Sequence, residues 1–189
     1  MLTSRVFFII YWIWIVSETL LQIFMRTRRS KGTIQDRGSL FVLLAGLFGS
    51  VWLAIGYGES HPRTMFGGAE WLRIVALALM VTGLVIRWTA ILSLGRSFST
   101  NVAIRTTQTL HTSGLYRWVR HPSYTGMLIT FASIGIWERN WVSLALTTIL
   151  PMLALQYRLH VEEQALTSAF GEQYTRYCLQ TRRIIPGIY

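Results

Sequence analysis

Residues 116–126, Tyr-Arg-Trp-Val-Arg-His-Pro-Ser-Tyr-Thr-Gly, place two arginines, a His-Pro pair and two tyrosines directly before an apolar run. Proline pushes the residue before it out of the helical region and is itself suited to a helix's first turn. His121 is thereby set beside the unpaired N–H groups and positive pole of a helix that starts at Pro122. That is a place for an anion or an electron-rich ligand. The plainer reading is an interfacial histidine capping its own helix, with Tyr116 and Tyr124 as aromatic-belt residues. A second polar group follows some 35 residues on. Arg158 and Glu162 are four apart and share a helix face, with Glu163 about 100° round from Glu162. On a water-exposed helix such a pair contributes little. Here the apolar run ends almost at Tyr157, so Arg158 sits near membrane depth, where charges seldom occur without a partner or a purpose. A guanidinium in that position can orient a carboxylate through a bidentate fork.

The elements that must carry these groups are membrane helices. The chain has 189 residues, 52% of them hydrophobic, with 8 Trp, and a mean hydropathy of +0.40. That is too apolar for an ordinary soluble domain of this length. A span needs about 20 apolar residues. Residues 6–25, with Glu18 as the only charge, 40–57 and 71–94, with Arg73 and Arg87, qualify. Residues 123–137 and 141–157, separated by Glu138-Arg139-Asn140, read as a helical hairpin. The first arm of that hairpin is short, roughly 22 Å against a hydrocarbon core of about 30 Å. The expectation is an all-α, polytopic integral membrane protein with about five transmembrane helices, and four plus a re-entrant hairpin as the fallback. Residues 1–189 read as one domain, with the first two spans and their loops in 1–70 and the remaining core in 71–189. The first span is too long and has the wrong flanks for a cleavable signal peptide.

The net charge of +10 follows membrane topology better than nucleic-acid binding, and no nucleic-acid partner is expected. The first loop holds Arg26, Arg28, Arg29, Lys31 and Arg37, and the third holds Arg96, Arg105, Arg117 and Arg120. The second, residues 58–70, carries Glu59, Arg63 and Glu70. Positive charge thus alternates loop by loop, which places the N-terminus outside and the C-terminus in the cytoplasm. The single cysteine, Cys178, excludes an internal disulfide, and His61, His111 and His160 show no metal-ligand spacing, so no metal is expected. Residues 95–121 have no 3.6-residue apolar period and read as loop and extended chain with a turn at Gly114. Phe170, Tyr174 and Tyr177 recur at helical spacing and read as packing against the membrane surface.

Three blocks in order carry a resemblance: TSGLYRWVRHPSYTG, RLHVEEQAL and FGEQYTRYCLQTRRIIPG, preceded by LGRSFST. Over residues 94–187 the chain resembles the isoprenylcysteine carboxyl methyltransferases and their prokaryotic relatives. Phospholipid N-methyltransferases and some thiol methyltransferases share this pattern, and certain sterol reductases share a related C-terminal core. The resemblance implies S-adenosylmethionine held on the cytoplasmic side by the loop before the fourth helix and the start of the C-terminal helix. Carried over by position, the cofactor contacts are Asn101, Gln108, Thr109, Leu110, His111, Tyr116, His121, Pro122, Ser123, Tyr124 and Glu162. Arg158 falls on the substrate-side arginine, so Arg158 and Glu162 are the expected catalytic pair. The implied acceptor is lipophilic: the carboxylate of a prenylated cysteine, or alternatively a phospholipid amine or a small thiol. The eukaryotic relatives carry further N-terminal spans, which points to a prokaryotic cytoplasmic membrane, with the endoplasmic reticulum as the eukaryotic equivalent. Membrane lipids are the expected surroundings.

A methyl sulfonium is already activated, so transfer demands in-line positioning more than acid–base help. A carboxylate acceptor needs only a cation to orient it, whereas a lipid amine also needs a base, for which Glu163 or His160 could serve. A reductase would bind a nicotinamide nucleotide; no GxGxxG is present, though membrane reductases do not depend on it. A non-enzymatic transporter would show internal repeats or mid-span polar groups. The candidates for the latter are Glu18 and Arg87.

Overall fold

The computed structural model describes residues 2–25, 32–34, 38–61, 65–67, 70–105 and 109–189. Gln108 and the first-loop cations Arg26, Arg28, Arg29, Lys31 and Arg37 lie outside the described residues. Among the described residues six α-helices follow one another: α1 (Leu2–Phe24), α2 (Ser39–Ser60), α3 (Glu70–Leu94), α4 (Pro122–Glu138), α5 (Trp141–Phe170) and α6 (Glu172–Gln180). The expected extended character before α4 is seen in a short antiparallel ribbon. In it β1 (Gly32–Ile34) pairs with β2 (Ala103–Arg105) in the register Gly32 to Arg105. The fold is otherwise all-α, as expected.

Among the described residues four helices, α1, α2, α3 and α5, are long and apolar enough to cross a membrane, and the chain is an integral membrane protein. The fourth of the five expected spans, α4, has 17 residues, about 25 Å of helix. Its shortness has a physical reason. It is the central helix, packed between α3 and α5, and most of its residues are buried. A helix that is apolar all round and wrapped in protein need not match the bilayer's thickness. Its neighbour α3 comes close through glycine: a Cβ on Gly126 would lie 2.6 Å from the Arg87 backbone nitrogen. That approach sets Tyr124, two residues earlier, firmly against the bundle.

The hairpin between α4 and α5 forms as its sequence suggests. Arg139 ends α4 in the left-handed conformation at φ 51°, and Asn140 caps α5, accepting hydrogen bonds from Val142 N at 3.0 Å and Ser143 N at 3.2 Å. At the same end of the bundle, Phe66 N donates to Arg139 O at 2.7 Å. At the other end, Thr100 N donates to Met25 O just after α1 at 3.2 Å. There the N-termini of α2 and α4 and the C-terminus of α3 also gather. α5 runs on past that end to Phe170, and at Gly171 the chain turns into α6.

The two mid-span charges are partners. Arg87, 4% exposed on α3, pairs with Glu18 of α1 through both guanidinium nitrogens Nε and Nη2, the second at 2.6 Å. Trp14 Nε1 donates to the same carboxylate at 3.2 Å. The pair ties the first helix to the bundle and removes the cost of a lone charge at membrane depth.

Candidate functional site

Tyr124 stands at the centre of the polar groups. Its hydroxyl accepts a hydrogen bond from Arg158 Nε at 2.9 Å and donates to Glu162 Oε2 at 2.7 Å. The pair expected on one face of α5 is therefore bridged by a phenol from α4. Arg158 is 3% exposed. Its Nη2 donates to Thr100 O at 2.6 Å and its Nη1 to Ser39 Oγ at 3.2 Å. The arginine thus joins α5 to the loop after α3 and to the start of α2.

Two cavities meet at this partition. The larger, about 920 Å³, lies among α1, α2 and α4, and its wall is mostly aromatic and aliphatic side chains such as Trp14, Leu43, Leu47 and Phe131. Its polar groups are few: Glu18 and Arg87, Ser99 and Thr100, Ser123, Tyr124 and Arg158 among them. The smaller, about 100 Å³, lies on the far side of Tyr124, towards the α5 extension and α6. Phe98, Ser99, Ser123 and Tyr124 line both.

The smaller pocket gathers most of the residues expected to hold a cofactor. Asn101, Thr109, Leu110, His111 and Tyr116 line it from the loop, His121, Ser123 and Tyr124 from the start of α4, and Glu162 from α5. Pro122 is the first residue of α4 and is not part of the pocket wall. Arg158 lines the large cavity and not the small pocket. His121 makes no side-chain cap of its helix. Its ring stacks on Tyr124, centroids 5.6 Å apart, and among the described residues its buried Nε2 has no hydrogen-bond partner, lying 3.5 Å from Glu163 Oε1. His121 thus occupies the N-cap position of α4 and accepts from Tyr124 N and Thr125 N through its carbonyl, while its ring is turned to Tyr124 and Glu163.

Sequence reasoning missed part of the wall. Tyr174 and Tyr177, 2% and 8% exposed, turn inward and line the pocket with Phe170. The stripe expected to rest on the membrane surface faces the site instead. Tyr177 donates to Tyr116 O at 2.6 Å, which ties α6 over the loop. Burial pushes the Tyr177 phenol up to about 12, and burial first, with Glu162 second, pushes Tyr116 up as well. Both remain neutral near pH 7 and serve as donors and aromatic faces. Helical spacing marked these tyrosines as a stripe, but it could not say which way the stripe points.

Glu163 is committed elsewhere. Arg120 Nε reaches it at 3.0 Å and Arg183 Nε at 2.9 Å. His160 is exposed and meets Gln164 at 2.9 Å. Neither is placed to take a proton from a group in the large cavity.

The small pocket's chemistry suits a ligand that carries a positive charge and a flat ring. Glu162 offers a carboxylate to an ammonium group, and the aromatic faces suit a sulfonium and a flat base. Its volume falls below the ~300 Å³ at which small-molecule sites begin. Thr109 in its wall is exposed, so the pocket opens to water on the side of the loop.

Comparison with known proteins finds one family. Residues 76–168 match the model of the isoprenylcysteine carboxyl methyltransferase (ICMT) family. A protein-S-isoprenylcysteine O-methyltransferase of Tribolium castaneum is 34% identical over 121 residues, 63% of this chain and 43% of that protein. Protein-S-isoprenylcysteine O-methyltransferase B of Arabidopsis thaliana is 31% identical over 120 residues, 62% of this chain and 61% of its own length. The solved structure of a eukaryotic intramembrane Ras methyltransferase, ICMT, superposes with a TM-score of 0.65 at 29% identity, covering 77% of this chain and 52% of that one. The chain thus matches less than two thirds of these relatives' lengths. Residues 76–168, which carry Arg87, Tyr124, Arg158 and Glu162, are thus the part of the chain that matches the isoprenylcysteine carboxyl methyltransferase family.

Proposed function

We propose that the protein transfers a methyl group from S-adenosylmethionine, held in the small polar pocket, to the carboxylate of a prenylated cysteine whose lipid part occupies the large cavity. The observation that carries this reading is the Tyr124 partition. One phenol touches Glu162 on the polar side and Arg158 on the apolar side, which is where a water-soluble donor and a lipid-soluble acceptor have to meet. The relatives named as isoprenylcysteine methyltransferases support the choice of acceptor.

S-adenosylmethionine, when bound, supplies an activated methyl group. The chain's own residues provide orientation. Glu162 holds the donor's ammonium group, and Tyr116, Tyr174 and Tyr177 enclose its flat and cationic parts. Arg158 orients the acceptor's carboxylate at the mouth of the apolar cavity. Tyr124 fixes both charged groups relative to each other, so that a bimolecular encounter becomes a positioned one. No base is needed, because a carboxylate is ionised near neutrality. A lipid amine would need one, and the engagement of Glu163 and the exposure of His160 weigh against that alternative.

Donor identity is testable by calorimetry in detergent. S-adenosylmethionine or its demethylated product is expected to bind in the micromolar range, with no heat from NADPH. Binding of NADPH alone would replace the methyltransferase reading with a reductase one.

We further place the site end of the bundle, with the C-terminus, on the cytoplasmic face of the membrane, following the positive loops. Cys178, the chain's one thiol, reports on this. Burial pushes its thiol up, so labelling is best done at mildly alkaline pH, where the thiolate forms. A membrane-impermeant maleimide should modify it only after permeabilisation. Modification in intact cells would reverse the orientation.

A further inference from the structure

After α6 the chain turns back to the start of α4. Arg120 N donates to Arg182 O at 2.7 Å, His121 N to Arg183 O at 3.0 Å, and Thr125 Oγ1 to Ile184 O at 2.7 Å. Thr125 lies in the first turn of α4, so Ile184 reaches the depth at which that helix enters the bundle. Ile184 itself is buried in the main core with Tyr124 and Leu159. Its neighbours are not: Ile185 is 42% and Ile188 78% exposed, and Leu179, at the end of α6, is 82% exposed.

Trp118 belongs to the same surface. Its carbonyl accepts from Arg182 N at 3.4 Å, and its ring is 60% exposed with the Arg117 guanidinium 5.1 Å from the centroid. Arg117 and Arg182 are also exposed. Glu163, the acid beside this strap, is engaged by Arg120 and Arg183. An exposed tryptophan, three exposed aliphatic side chains and two arginines at the level where a buried helix begins have the composition of a segment lying in a headgroup layer. We infer that the strap formed by residues 179–188, together with Trp118, is an interfacial anchor. It sinks its apolar side chains into the acyl boundary and binds anionic phospholipid headgroups through Arg117 and Arg182. Two consecutive backbone bonds run from the strap to the Arg120-His121 segment, so the anchor holds the small pocket at the membrane surface. This inference is independent of which acceptor is methylated.

The test uses the full chain reconstituted into vesicles of phosphatidylcholine, with and without phosphatidylglycerol. Cys178→Ser provides a background for single nitroxide labels at Leu179→Cys, Ile188→Cys and, as an exposed control on the α5 extension, Ser168→Cys. Collision with oxygen relative to a water-soluble nickel complex should be severalfold higher at 179 and 188 than at 168. The contrast should grow with phosphatidylglycerol and lose that growth in Arg117→Glu/Arg182→Glu. Labels at 179 and 188 as open to nickel as the control would overturn the anchor. So would a contrast indifferent to anionic lipid.

Discussion

Arg158→Ala is expected to lower methyl transfer to a farnesylcysteine analogue by about 10³-fold while leaving S-adenosylmethionine affinity within about threefold. A hydrogen bond to a charged group contributes about 1.5–3 kcal/mol, and a bidentate pair about twice that, which corresponds to roughly three orders of magnitude. The donor is spared because Arg158 lines the large cavity and Glu162 the small pocket. Arg158→Lys keeps the charge but not the planar fork, so it should recover only a small part of the loss. Arg158 also holds Tyr124 and the Thr100 carbonyl, so a thermal melt of each variant separates lost chemistry from lost packing. Unchanged kcat/KM in a folded alanine variant would remove Arg158 from the mechanism.

Glu162→Gln should weaken S-adenosylmethionine by about 10- to 30-fold, the difference between a charged and a neutral hydrogen bond to the donor's ammonium group. Glutamine keeps the shape and can still accept from the Tyr124 hydroxyl, so the change isolates the charge. Titration calorimetry of wild type and variant measures it directly. Equal affinities would move the ammonium group elsewhere in the pocket, even with the family assignment intact.

The distribution of apolar residues made the helices readable, and the His-Pro pair and the Arg-Glu spacing made the two halves of the site readable. Pro122 starts α4 because proline suits a first turn, and Asn140 caps α5 because the hairpin needs a side-chain acceptor there. These are local effects, visible in a short window. What escaped was set by packing between elements. Glu18 and Arg87 are far apart in sequence, and the apolar runs around them say nothing of their pairing. The resemblance named Tyr124 as a cofactor contact, but only α5 laid against α4 puts its hydroxyl between Arg158 and Glu162. The tyrosines of α6 have a helical period, but only the return of the chain over the pocket decides that Tyr174 and Tyr177 face inward. The same return carries Trp118, Leu179 and Ile188 to the outside.

Methyl transfer by the wild-type protein in lipid vesicles identifies the acceptor. Methyl-labelled S-adenosylmethionine is supplied with a farnesylcysteine analogue, phosphatidylethanolamine or a small alkyl thiol, and the product is treated with base. Label is expected on the prenylcysteine as a base-labile methyl ester, released as methanol. Base-stable label on the lipid amine or the thiol, with none on the prenylcysteine, would contradict that expectation.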